Sequence, residues 1–209
     1  MKRIILLIGL LVVEASAVEN PRLAIVIGKT GFSQKWGVTQ MAAHGWGAAA
    51  NLAGVPYDCL FLEDLSGADL TRYRLLVLAQ CGYAPDTGYP SLMGALQAYL
   101  GRGGHLIIDG PLAVFDETAR EREHAGLDSL IGVHYDGFRG DDQYRIRVKT
   151  GDHYVTQDYK ADQFLTQHLV GGLNILSGGD TLLESTNGKK RHPFLSVLAK
   201  GNSRLVFRS

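Results

Sequence analysis

The stretch Tyr73–Pro111 reads YRLLVLAQCGYAPDTGYPSLMGALQAYLGRGGHLIIDGP. Arg74 to Ala79 carries the apolar run Leu75, Leu76, Val77 and Leu78, and His105 to Asp109 carries Leu106, Ile107 and Ile108. Short apolar runs bounded by turn residues fit strands covered on both faces, as in a parallel sheet. Between them Pro90 suits a first helical position, where its missing N–H costs nothing. Leu92, Met93, Leu96, Tyr99 and Leu100 then recur at helical spacing until Gly101, Gly103 and Gly104 end the helix. Strand, helix, strand is a right-handed crossover unit.

The same alternation extends upstream. Leu23 to Ile27, LAIVI, reads as a first strand closed by Gly28-Lys29-Thr30-Gly31. GKTG has neither the upstream glycine and spacing of a Walker loop nor the form GxGxxG, so it reads as a tight strand-to-helix turn and no cofactor is expected. Ser33 to Leu52 is expected to be helical, with Val38, Met41, Ala42, Gly45, Ala49 and Leu52 as its apolar face and Gly54 as terminator. Its small residues should let it lie close to the sheet. His44, Trp36 and Trp46 are most simply packing residues, although a tryptophan can also stack on a sugar ring. Tyr57 to Leu62 is the second strand. These elements predict a flavodoxin-like α/β three-layer sandwich with a mostly parallel central sheet, its strands ordered 2-1-3-4.

In such sheets a ligand crevice lies beyond the C-terminal strand ends. The residues expected there are Lys29 and Thr30, Glu63 and Asp64, Gly82 and Tyr83 beside Cys81, and Gly110 between Asp109 and Pro111.

Beyond this core, DETAREREH from Asp116 reads as a charged helix entry with Asp116 as its N-cap, and Leu127, Leu130 and Ile131 as its buried stripe before Gly132. His134 to Asp142 reads as a loop, and Tyr144 to Val148 as a half-buried strand. Three further strands are expected at Thr181 to Glu184, Pro193 to Leu198 and Arg204 to Phe207, with turns at Asn187-Gly188 and Gly201-Asn202. These are C-terminal β-hairpin additions to the sandwich. A sequence closing on RLVFRS belongs either to a domain that stops on its last strand or to the front of a longer protein.

The opening residues have the form of a targeting segment. Lys2 and Arg3 precede the apolar run Ile4 to Val13, and Ala15-Ser16-Ala17 supplies small residues for a signal peptidase. The run is about half of the roughly 20 residues a spanning helix needs. A retained anchor is the alternative reading. Cleavage after Ala17 leaves 18–209 as a single exported domain, periplasmic or extracellular, with no membrane span. The chain has 21 Lys and Arg against 21 Asp and Glu, so it has no net field with which to grip a phosphate backbone, and nucleic acid is not an expected partner.

Cys59 and Cys81 are the only cysteines. In the order 2-1-3-4 their strands are separated by strand 1, and bridging needs Cα atoms within about 7 Å, which favours two ordinary small residues. His124, His134, His153, His168 and His192 are scattered singly, without metal-ligand spacing. Asp109, Asp116 and Asp141 or Asp142 could hold a weak cation, but solvated acids are the ordinary explanation, and no metal is expected.

The stretch YRLLVLAQCGYAPDTGYPSLMGALQAYLGRGGHLIIDG, followed by LDSLIGV and later by HPFLSVLAKGNSRLVFRS, resembles the β-galactosidase trimerisation-type domain of the class I glutamine amidotransferase-like superfamily. Active members of that superfamily place a Cys nucleophile on the turn after the strand corresponding to His105–Asp109, and pair it with a His-Pro-Glu element. This chain reads Asp109-Gly110-Pro111 at the turn, and Phe194 follows His192-Pro193. The resemblance therefore implies an exported non-catalytic module associated with carbohydrate-processing proteins, acting in assembly or glycan binding. Its expected partners are a second copy or a carbohydrate-active domain. The alternative is a hydrolase acting on a glycan or amide through Cys81, Asp109 or His192. That reading needs a rearranged Cys81–His192 pair, and nucleophile and base must meet in space.

Overall fold

The computed structural model describes residues 23–123, 126–166 and 170–209. The targeting segment, His124 and His168 lie outside the described residues, as do the side chains of Trp36, Asp141 and Asp142. Strands β1 (Leu23–Ile27), β2 (Tyr57–Phe61), β3 (Leu75–Ala79) and β4 (His105–Asp109) alternate with helices α1 (Lys29–Leu52) and α2 (Tyr89–Gly101). A short helix α3 (Gly126–Ile131) leads into β5 (His134–Val148), β6 (Val170–Ser177), β7 (Asp180–Thr186), β8 (Arg191–Lys200) and β9 (Ser203–Arg208). The described strands form one sheet in the order β2-β1-β3-β4-β9-β8-β7-β5-β6.

The first four strands pair in the expected order 2-1-3-4, all parallel. β3 and β4 are buried along their whole lengths, and burying each Leu, Ile or Val side chain contributes about 1.5–3 kcal/mol. Alternate residues feed two cores. Leu76, Leu78, Leu106 and Ile108 face α2 and α3, while Leu75, Val77 and Ile107 face α1. Helix, sheet and helix make the three layers.

The last strand does more than close a hairpin. β9 is antiparallel to β8 but parallel to β4, with Asp109 opposite Arg208. It is the fifth parallel strand, and it joins the core to the antiparallel ladder of β8, β7, β5 and β6.

Three expectations are corrected. Helix α1 begins at Lys29 rather than Ser33, and its buried side is rotated. Thr39 and Ala50 are buried, with Ala42, Trp46, Ala49 and Ala53 packed on the core, whereas Val38, Met41 and Leu52 are 54%, 76% and 65% exposed. The helix turns its thinner side inward. At Gly47 a Cβ would stand 2.7 Å from the Tyr57 hydroxyl, so the missing side chain lets the tyrosine tip lie against the helix.

The second correction concerns Asp116, which caps a turn instead of a helix. Its Oδ1 accepts from the Thr118 and Arg120 backbone N–H groups at 2.8 and 2.9 Å, and from the Thr118 hydroxyl at 2.7 Å. The Thr118 hydroxyl bond leads these in holding the carboxyl down at about 2. Such local bonds let Asp compete with helix formation. Leu127, Leu130 and Ile131 are buried as expected.

Third, His134 to Asp142 is strand, the first part of β5, paired antiparallel with β6. The pairing shifts register between Tyr135 and Phe138 and between Arg139 and Gln143. A bulged strand rich in Gly and Asp lacks the alternation that would reveal it.

Candidate functional site

The expected crevice lies where β1, β3 and β4 end. Gly28 is the single residue between β1 and α1, so the first N–H groups of α1 point into the region, where a helix would ordinarily attract an anion. The chain supplies that anion itself. After β2 a 3-10 turn, Leu62–Gly67, is anchored by buried Leu62 and Leu65 and presents Glu63 to the helix. The Glu63 carboxylate accepts from the backbone N–H of Lys29 (2.9 Å) and of Thr30 (2.9 Å), and from the Thr30 hydroxyl (3.0 Å). Asp64 accepts from Lys29 Nζ at 2.7 Å. Lys29, Thr30, Glu63 and Asp64 thus meet as expected, but they satisfy one another. Glu63→Ala is expected to lower stability by about 1 kcal/mol, the usual cost of losing a helix cap, with Glu63→Gln falling between it and the native protein in a thermal melt.

The turn after β4 is as sharp as the resemblance implies. Gly110 has φ +86°, and a Cβ there would lie 2.7 Å from the Gln80 side-chain amide. Asp109 before it is 3% exposed, and its bonds to the described residues are structural. Its Oδ2 accepts from Trp46 Nε1 (2.8 Å), and its Oδ1 accepts from Gln80 Nε2 (3.2 Å) and Arg208 Nε (2.8 Å). Arg208 Nη2 forms a further ion pair with Oδ1. One carboxylate therefore ties α1, β3, β4 and β9 together. These partners take up both carboxylate oxygens, so neither is turned toward a substrate in the crevice.

Cys81 is 1% exposed, its Sγ lying 3.4 Å from the Val26 carbonyl. Burial pushes the thiol's pKa well up, and the nearby Glu63 and Asp109 carboxylates push it further. The thiolate is the nucleophile, and this site suppresses it. The segments after β3 and β4 also close over the thiol. Ala113 N donates to Cys81 O (2.8 Å), Phe115 N to Gly82 O (2.9 Å) and Ala84 N to Phe115 O (3.0 Å). Pro111 seals the gap at Gly82, where a Cβ would meet its Cγ at 3.1 Å. The Tyr83 ring packs on Phe115 with centroids 5.2 Å apart.

The structure does not bring His192 to Cys81. His192 lies on β8, its ring edge-on to Tyr144 at 5.6 Å, and β4 and β9 stand between β8 and β3. Three strand spacings amount to about 14 Å, too far for proton transfer within the pair. Cys59 and Cys81 both carry free thiols, with β1 between their strands. Among the described residues no three His, Cys, Asp or Glu side chains converge as metal ligands. Asp109 and Asp116 each serve their own partners.

Two solved β-galactosidases share this architecture. The enzyme from Bacillus circulans sp. alkalophilus superposes with a TM-score of 0.67 at 12% identity, over 91% of this chain and 29% of its own. That from Rahnella sp. R3 gives 0.62 at 13%, over 92% and 29%. The chain thus shares the fold of one part of each of these two enzymes. A putative ThuA-like protein from Bacteroides uniformis matches with a TM-score of 0.62 at 14% identity, over 93% of this chain and 84% of its own. The chain thus spans under a third of the β-galactosidases but most of the ThuA-like protein. No family model and no curated protein matches the sequence.

Two open cavities lie away from the expected crevice. One, of about 650 Å³, is at the opposite end of the strands, where β3 and β4 begin, lined by Tyr73, Arg74, Arg102, His105 and Asn202 among others. Burial lowers the pKa of His105 there, and its Nδ1 accepts from Arg204 N at 3.0 Å. The other, of about 460 Å³, lies on the antiparallel ladder. Sequence reading passed over both. Their residues are dispersed along the chain and match no motif. No described helix is long and apolar enough to cross a membrane.

Proposed function

We propose that this chain is an exported, non-catalytic module of carbohydrate-processing systems, acting in assembly or glycan binding. The observation that carries the non-catalytic part is the occupied crevice: Asp109 is clamped by Arg208, Trp46 and Gln80, and Cys81 is sealed away from His192. The fold shared with parts of two β-galactosidases supports the association with carbohydrate. Lys2, Arg3, the apolar run Ile4 to Val13 and Ala15-Ser16-Ala17 support export.

The test combines N-terminal sequencing of the cell-expressed protein with assays on the purified chain. The exported form is expected to begin at Val18, and the chain to hydrolyse neither aryl galactosides nor glutamine while binding an oligosaccharide or a carbohydrate-active domain saturably. Turnover abolished by Cys81→Ser or Asp109→Asn would establish the hydrolase reading instead. A chain that stays monomeric and binds neither glycan nor partner would remove the module reading.

A further inference from the structure

On the outer face of the antiparallel ladder, one rung aligns Arg145 of β5, Thr186 of β7 and Arg191 of β8. The two arginines stand two strands apart, about 10 Å at the usual strand spacing, over the cavity of about 460 Å³. Both are exposed. Among the described residues neither has a carboxylate partner, so both guanidinium groups stand open to an anionic ligand.

The rest of the groove is built around that pair. Arg147, on the same face of β5, is spent on Glu184, which accepts from its Nη2 at 2.8 Å and its Nε at 3.2 Å, and on Asp162. It forms a fixed, neutralised floor. Phe164 bridges back to Arg147 and is 48% exposed, with the Arg145 guanidinium 5.7 Å from its ring centroid. Gln143 and Asn187 add neutral amides at the rim.

We propose that this groove binds an acidic oligosaccharide, its uronate carboxylates taken by Arg145 and Arg191 and a pyranose face laid on Phe164. A guanidinium fork matches a carboxylate in two parallel hydrogen bonds. With their backbones about 10 Å apart, the two forks can each take a separate carboxylate, which a ligand carrying repeated acids along a chain supplies. An aromatic plate accepts the apolar C–H face of a sugar, and the amides suit its hydroxyls. A nucleic acid is disfavoured by Glu184 and Asp162 beside the groove and by the absence of net charge on the chain. This inference rests on the carbohydrate reading above and assigns that reading a ligand class and a site.

The test titrates the full chain with a galacturonic acid hexamer, its fully methyl-esterified form, a neutral galacto-oligosaccharide and a single-stranded DNA hexamer, read by calorimetry. The uronate hexamer is expected to bind saturably and the ester at least tenfold more weakly. Arg145→Ala and Arg191→Ala are each expected to weaken uronate binding about tenfold, the loss of one charge-assisted contact, and Phe164→Ala to weaken it without changing its salt dependence. All three side chains are substantially exposed, so the melting temperature should hold within a few degrees and report that the variants fold. Equal binding of ester and acid, unchanged binding in the Arg145→Ala/Arg191→Ala double variant, tighter binding of the DNA, or no uronate binding would overturn the proposal. If the neutral oligosaccharide binds and the double variant keeps that binding, the glycan module stands while the acidic groove falls.

Discussion

Arg208→Met is expected to lower the unfolding free energy by about 3 kcal/mol, the cost of stripping a partner from a buried charge. In a chain of this size that is a melting temperature lower by about 6–12 °C. The effect should be asymmetric across the pair. The Asp109 side chain is 4% exposed and that of Arg208 is 40% exposed. Without Arg208, the carboxylate stays buried with Trp46 and Gln80 as its remaining donors among the described residues. In Asp109→Asn the amide oxygen still accepts a hydrogen bond while Arg208 turns to water, so the loss should be about 1 kcal/mol. Chemical denaturation of both single variants and the double variant gives the coupling directly. Equal losses in the two single variants would mean that the carboxylate reaches solvent and that the junction of α1, β4 and β9 does not depend on its charge.

Removing Arg122 should be nearly as costly and should open the covered crevice. Its side chain is 12% exposed. Nη1 donates to the Ala113 carbonyl (3.2 Å) and the Phe115 carbonyl (2.5 Å), while Nη2 donates to the Ala84 carbonyl (2.7 Å) and to Asp86 (2.5 Å). The guanidinium also lies 4.5 Å from the Tyr89 ring centroid. Arg122→Ala leaves three carbonyls without this donor, at about 1 kcal/mol or more apiece, so a loss of about 3 kcal/mol is expected. Arg122→Lys should rescue little, because a single ammonium lacks the rigid fork that spans three acceptors.

Thiol labelling offers a sharper readout. Cys59 is exposed and Cys81 buried, so a thiol reagent should modify Cys59 at once in the native protein and Cys81 only on opening. Arg122→Ala should accelerate the second phase and leave the first unchanged. If Cys81 labels no faster, the segments over it are held by their backbone bonds alone.

The parallel core was legible because it is written in contiguous runs. LLVLA and HLIID have no polar alternation and are bounded by turn residues, a pattern that fits strands buried on both faces. Pro90 and the apolar residues after it placed α2 equally well. Less legible was α1, since a helix built of Ala, Gly and Thr between scattered larger residues can be read with more than one apolar face. Tyr57, which needs Gly47 beside it, and Asp109, which takes the Trp46 indole, bear on which face turns inward. The first part of β5 escaped notice because its bulges break the two-residue period.

What the amino-acid order determined by itself was local: the strand, helix and strand around Tyr73–Pro111, the parallel sheet it demands, and the absence of a thiol at Asp109-Gly110-Pro111. Only the tertiary structure decided that β9 lies parallel to β4, that Glu63 fills the end of α1, and that Arg145 and Arg191 share a rung. The reason is physical. Periodicity records how a segment meets its immediate surroundings, whereas a carboxylate on a distant helix end, or two guanidinium groups 46 positions apart, become neighbours only when the sheet closes.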